Sequence, residues 1–346
     1  MNRAVKIVVT VLISLCALIT LGTGIADISA GKVSDVAAGN SSFRNAAATV
    51  NNVFLYEVLG TSGEEQVIAG KAGWLYYAET LYGYTGRNAL TGEETELILN
   101  NLKAADEFCR NNGAVFIFVC VPDKVTVYPE YMSARFKKAD SAPNASVITK
   151  AASELGILTL DLAEEFSTAK PEGKLLYKKT DTHWNNYGAA LCADRLTELF
   201  LTSTGLNDYP GRVVFSKLSY ETRDSEGGDL YGLLFPEKDR TAKDTDLYCD
   251  YTFSYVFETP AVSMMDMDIV TVCEGLDSSV LVYRDSFFNA LIPYISEQFG
   301  RARYLRANMP YEFGAVPTDR PDVVILEIAE RNIKNLAKEG IFNGIG

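Results

Sequence analysis

The sequence predicts an α/β fold, a three-layer sandwich with a mostly parallel sheet between helices, and three observations point to it. Residues 114–121 form an unbroken apolar run closed by Pro122, and strands with apolar centres are expected over 279–284 and 322–328. Continuous runs of this kind suit strands covered on both faces, as parallel strands are. Between them lie stretches with apolar residues at helical spacing, so strand and helix alternate along the chain. With 346 residues, 47% of them apolar and 22% charged, the chain can bury the core of one large domain or two small ones.

The N-terminus stands apart. Arg3 and Lys6 flank the start of an apolar run over 5–24 that carries no charge after Lys6. A helix of roughly 20 residues reaches about 30 Å, the thickness of a hydrocarbon core. Positive residues ahead of the run place the following body outside the cytoplasm. Residues 1–25 are therefore expected to be an uncleaved single-pass anchor. The alternative is a signal cleaved near Ala30, after Ile28-Ser29-Ala30, with a secreted body. Residues 26–60, rich in Ala, Ser and Asn, read as a spacer, and the folded body is expected over 61–346.

In the body, Gly70, Gly73 and Trp74-Leu75-Tyr76-Tyr77 read as a turn entering a strand. Thr91 and Glu94 form a capping box for a helix with Ile98, Leu102, Ala105 and Cys109 on one face, stopped at Gly113. After the strand at 114–121, Pro143 opens a helix that runs to Leu155, Gly156 ends it, and 157–162 is the next strand. Cys192, Leu196, Leu199 and Phe200 mark the apolar face of a later helix. From about 205 to 270 the pattern changes to short aromatic-rich strands, read as a β-rich insertion or lid. The alternation then resumes with a strand at 279–284, a helix over about 287–299, and strands at 301–306 and 322–328.

Composition excludes some functions. Net charge is −13, from 32 basic and 45 acidic residues, with no basic cluster in the body. Nucleic-acid binding and docking on an anionic membrane through a basic surface are both disfavoured. Beyond Cys16 the cysteines are Cys109, Cys120, Cys192, Cys249 and Cys273, a scattered odd set with Cys249–Cys273 as its one candidate bridge. A single histidine and no Cys-x-x-Cys predict no metal site. No cofactor is expected.

That histidine is the most informative residue. His183 lies in Asp181-Thr182-His183-Trp184, ahead of a helix, where the rim of an α/β sheet forms ligand crevices. Near neutral pH most acid–base chemistry uses an imidazole, and a carboxylate two residues away can orient it. The same residues also fit a structural loop in which Asp181 caps backbone amides and Trp184 fills the core. The candidate nucleophile is Ser286, after Asp285, where an apolar strand hands over to a helix. A helix N-cap is the plain alternative for that serine, unless Asp285 is itself the cap. Lys124 and Tyr128 follow the first buried strand and could donate to a carbonyl or sugar, or stand in a solvated loop. Gly228-Asp229 and Glu330-Arg331 divide the same way, the latter between an ion pair and a substrate contact.

Taken together, these blocks resemble the SGNH-hydrolase-like domain of the alginate O-acetylation (AlgX/AlgJ-like) proteins and the related DHHW-motif proteins. The matching features, in order, are Gly70-Lys71-x-Gly73-Trp74-Leu75; Val121-Pro122-x-Lys124 with Tyr128-Pro129-Glu130; Asp181-Thr182-His183-Trp184 with Gly188-Ala189; Gly228-Asp229-Leu230; Asp285-Ser286-Phe287; and Glu330-Arg331-Asn332. The resemblance implies a permuted SGNH-like sheet and a site with Ser286 as nucleophile, His183 as base and Asp181 as orienter. Arg284 stands where the alginate proteins usually have a small residue, which favours the DHHW branch. Arg284, Lys124, Tyr128, Trp184 and Arg331 are the candidate oxyanion or substrate contacts.

The resulting expectation is an extracytoplasmic O-acyltransferase, O-acetyl by resemblance, acting on cell-surface or secreted polysaccharide. By the same analogy a membrane-bound, multispanning O-acyltransferase supplies the acyl group. An esterase with the same triad, and a non-catalytic scaffold of a polysaccharide synthesis or export complex, are the alternatives. Polymer recognition would fall to the 205–270 region and its tyrosines, or to a partner.

Overall fold

The computed structural model describes residues 59–345, apart from 171–172, 207–211, 236–242, 259–262 and 307–308, and only isolated positions before 59. The expected anchor over 5–24, and most of the spacer, thus lie outside the described residues. Among the described residues, no helix is long and apolar enough to cross a membrane.

The labelled strands are β1 (Val115–Val121), β2 (Leu158–Leu160), β3 (Tyr220–Glu226), β4 (Lys243–Cys249), β5 (Val256–Phe257), β6 (Asp268–Val272), β7 (Ser279–Arg284), β8 (Arg301–Arg306) and β9 (Val323–Ala329). The central sheet runs β2-β1-β9-β7-β8-β6-β5. Pairing is parallel from β2 through β8, while β6 and β5 add antiparallel at one edge. The main helices are α1 (Gly92–Asn111), α2 (Asn144–Glu154), α3 (Leu162–Ala169), α4 (Asn186–Thr204) and α5 (Ile292–Ser296).

Side chains alternate across a strand, so each central strand serves two cores. On β1, Ile117, Val119 and Val121 join one cluster with Ala189, Cys192, Leu196 and Phe200 of α4. Phe116, Phe118 and Cys120 join the other, with Ile98, Leu102 and Cys109 of α1 and Ile148 of α2. This two-sided burial is why the strands read as continuous apolar runs. At the start of α1 the capping box forms as expected, with Thr91 Oγ1 accepting from Glu94 N and Glu94 Oε2 from Thr91 N.

The structure differs from the sequence expectation in three places. The 205–270 region contains the β3/β4 hairpin, but its last strands, β5 and β6, are edge strands of the central sheet. The expected helix over 287–299 is a 3₁₀ turn, Phe287–Ala290, followed by the short α5. Pro293 lies in the first turn of α5, where its missing N–H is tolerated, whereas inside a longer helix it would remove a ladder bond. Cys249 and Cys273 are both free thiols, so the candidate bridge is not formed.

Candidate active site

Ser286 follows β7 directly, and Asp285 shapes its turn. The Asp285 N–H donates to Glu327 Oε2 at 2.8 Å. Its carboxylate accepts from Phe287 N at 2.8 Å and from Ala329 N at 2.9 Å, tying the ends of neighbouring strands β7 and β9 together. Glu327 is fully buried, and that burial pushes its carboxyl up from the ordinary range. Because Asp285 serves the turn's amides, the Ser286 hydroxyl is not used as a cap. Among the described residues the Ser286 N–H donates to no acceptor.

His183 arrives on the loop before α4, whose N-cap Asn185 accepts from Gly188 N. His183 Nε2 lies 2.9 Å from Ser286 Oγ, and Nδ1 lies 2.7 Å from Asp181 Oδ1. The same Asp181 oxygen accepts from the His183 N–H at 2.9 Å, so it fixes both ring and backbone. A carboxylate at Nδ1 assigns that nitrogen the proton and leaves Nε2 to accept from the serine. Burial alone would raise the Asp181 pKa. The hydrogen bonds from His183, with positive charge at His183 and Lys178, outweigh it and hold the carboxyl well below the usual range. The geometry is that of a nucleophile, a base and an orienter in hydrogen-bond reach.

Neighbouring residues hold this pair of loops in register. The Trp184 indole donates to the Phe287 carbonyl at 2.9 Å, and the Phe287 ring sits 4.8 Å from the His183 ring. Lys124, buried between Trp74 and Tyr76, donates to the carbonyls of Lys178, Lys179 and Asp181. Burial lowers its pKa to about 7, against the pull of Asp181, Asp229 and Asp244. From β4, Asp244 accepts from Lys179 N, Thr180 N and Thr180 Oγ1. Asp246 accepts from Asn186 N and pairs with Lys178.

Asp229 completes the cluster. Its oxygens accept from Thr182 N at 2.7 Å and Thr182 Oγ1 at 2.5 Å, and one lies 3.6 Å from His183 Nδ1. Gly228 makes this approach feasible, since a Cβ there would collide with Asp181. Asp181, His183 and Asp229 are also the described set that could hold a cation, their ligand atoms lying within 4.8 Å of one another. Those atoms already serve the hydrogen bonds just described.

Several expected contacts are placed elsewhere. Arg284 is fully buried and turned toward Asn289 Oδ1 and the carbonyls of Met264 and Asp266, so it is not an oxyanion donor. Lys124 is engaged by three carbonyls, which match the three N–H bonds of its ammonium. Tyr128 is buried and its hydroxyl accepts from Leu176 N. Trp184 is a core residue whose indole joins the two loops. Arg331 pairs with Asp123 at 3.0 Å, not with Glu330, and its guanidinium lies 5.1 Å over the Phe287 ring, at the border of the site.

The order His183 before Ser286, together with this contact, agrees with the resemblance drawn from the motifs. The family model described as the SGNH hydrolase-like domain of acetyltransferase AlgX matches residues 67–259, more than half of the chain. The chain belongs to this family. The matched stretch includes Asp181 and His183, and Ser286 lies beyond it. Among curated relatives, the probable alginate O-acetylase AlgJ of Pseudomonas fluorescens is 28% identical over 176 residues, covering 50% of this chain and 42% of that protein. The match thus spans less than half the length of that relative. Among solved structures, Bacillus cereus PatB1 aligns with a TM-score of 0.56 at 15% identity, over 79% of this chain and 98% of the other. A DHHW family protein from Eubacterium siraeum aligns with a TM-score of 0.51 at 14% identity, over 70% and 88%. These structural likenesses show the SGNH-like fold.

Proposed function

We propose that this chain is an extracytoplasmic O-acetyltransferase that modifies hydroxyls of a cell-surface or secreted polysaccharide through an acyl-Ser286 intermediate. The observation that carries the reading is the continuous contact from Asp181 through His183 to Ser286 Oγ, at 2.7 and 2.9 Å. Family membership and the likeness to the probable alginate O-acetylase AlgJ support acetyl transfer to a polysaccharide.

In the first half-reaction Ser286 Oγ attacks the acyl carbonyl and passes its proton to His183 Nε2. Asp181 stabilises the imidazolium, and the unengaged Ser286 N–H is the donor proposed for the oxyanion. As the tetrahedral intermediate collapses, the donor's leaving group departs with the imidazolium proton. A sugar hydroxyl then attacks the acyl-enzyme while His183 takes its proton. When Ser286 leaves the carbonyl it recovers that proton, and the enzyme is restored. The donor is assigned to a membrane-bound acyltransferase partner, because acyl-CoA does not occur outside the cell. The charged start and apolar run over 5–24 support the extracytoplasmic placement and a retained anchor.

Water as acceptor gives an esterase on the same triad, a second reading favoured by the 28% exposure of the His183 side chain. Added acceptor glycan separates the two, since only a transferase diverts acyl groups from water to sugar. Separation of Asp181, His183 and Ser286 would favour the scaffold alternative, and they are in contact. In cells making the chain, Ser286→Ala at normal protein level should abolish acetylation of the polymer. Unchanged acetyl content would remove the proposal.

A further inference from the structure

A cavity of about 420 Å³ is walled by the β3/β4 hairpin, the start of α4 and Pro293 of α5. That volume is in the range of small-molecule sites. We propose that it is a subsite for one or two sugar units of an uncharged glycan, the acceptor of the acyltransferase reading on which this inference rests. Its walls continue the elements that bear the triad. Asn186 opens the helix after His183, and Pro293 stands on the helix after Ser286.

The lining has the chemistry a sugar needs. Tyr248 leaves 37% of its surface exposed, and the Arg223 guanidinium lies 4.9 Å over its ring. Glu221 pairs with Arg223 at 3.2 Å, beside the ring. The C–H face of a pyranose packs on such a surface, while its equatorial hydroxyls meet the donors of Arg223 and the carboxylates of Glu221 and Asp250. Asp250 has no hydrogen-bond or ion-pair partner for its carboxylate among the described residues.

Charge selects the class of glycan. Two carboxylates face one guanidinium in this pocket, on a chain whose net charge is −13. A polyuronate would bring further negative charge against them, and like charges in one site are costly. A neutral or N-acetylated chain meets no such repulsion. The same hairpin carries Asp244 and Asp246, which hold the loop of His183, so glycan and base are aligned by one element.

The test uses the purified full-length chain with p-nitrophenyl acetate as donor and cellohexaose, chitohexaose or hexamannuronate as acceptor. Cellohexaose or chitohexaose should accelerate nitrophenol release saturably, and hexamannuronate should not. Tyr248→Ala and Arg223→Ala should each raise the half-saturating glycan concentration about tenfold and leave release without glycan within about twofold. The Arg223 side chain is 60% exposed, so its loss spares the fold. No acceleration by either uncharged glycan, unchanged half-saturation in both variants, or saturation by hexamannuronate alone would overturn the subsite. A Ser286→Ala control separates the two levels. If that variant still releases nitrophenol like the wild type, the acyl-enzyme reading fails. If it is silent while Tyr248→Ala saturates normally, only the subsite fails.

Discussion

A serine at a strand-to-helix turn ordinarily uses its hydroxyl as the helix N-cap. Here Asp285 accepts from Phe287 N and Ala329 N, and the Ser286 hydroxyl is left to His183. Composition made His183 legible, as the chain's single imidazole, and spacing made Asp181 legible as its neighbour. The orientation of Arg284 was not legible locally, because both faces of β7 pack into a core, with Val280 and Val282 on one side and Leu281 and Tyr283 on the other. Asp229 was marked only by its Gly228-Asp229-Leu230 block and Asp244 had no local signal, because their partners Thr182 and Thr180 lie 47 and 64 residues away. Asp181 gives a pH prediction whose sign follows from its depressed pKa. A carboxyl whose folded value lies below its unfolded one stabilises fully above about pH 4 and loses that stabilisation as pH falls. The stability gap between wild type and Asp181→Asn in urea should therefore shrink as the pH is lowered from about 5 to about 3. A gap that ignores pH would contradict the role given to Asp181 here.

At the scale of elements, the site depends on a hairpin that the sequence showed only as a change of pattern. β4 carries alternating acids, and in a half-buried strand such residues read as solvent-facing. Instead Asp244 and Asp246 are each 3% exposed and bind the amides of the 179–186 loop. We expect Asp244→Ala to destabilise the fold by about 3 kcal/mol, since it strands buried donors that now reach a carboxylate. It should also lower kcat for p-nitrophenyl acetate much more than it changes KM, because it loosens the base without touching the donor. Wild-type kcat in that variant would show that the hairpin does not position His183. Asp244→Asn, which keeps one acceptor, should recover part of the loss. The break of the expected 287–299 helix was open to inspection, since Pro293 fits only a first turn.

For the whole molecule, the buried parallel strands were the clearest feature, because burial on both faces makes β1 wholly apolar and leaves β7 and β9 mostly so, with Arg284 and Glu327 as the buried exceptions. Their order in the sheet was not written in any one segment. It emerges from pairing between distant strands, and that pairing brings Ser286 to His183 across 103 residues. The edge strands β5 and β6 were hidden inside an apparent insertion, since short antiparallel strands carry weaker periodic signals than buried parallel ones. The central claim, that Ser286 is a nucleophile served by His183, is tested most directly by intact-mass and peptide-mass spectrometry after exposure to p-nitrophenyl acetate. The account predicts one acetyl group on Ser286, absent from both Ser286→Ala and His183→Ala. An acetyl adduct that persists in Ser286→Ala, or nitrophenol release by the wild type no faster than by that variant, would contradict it.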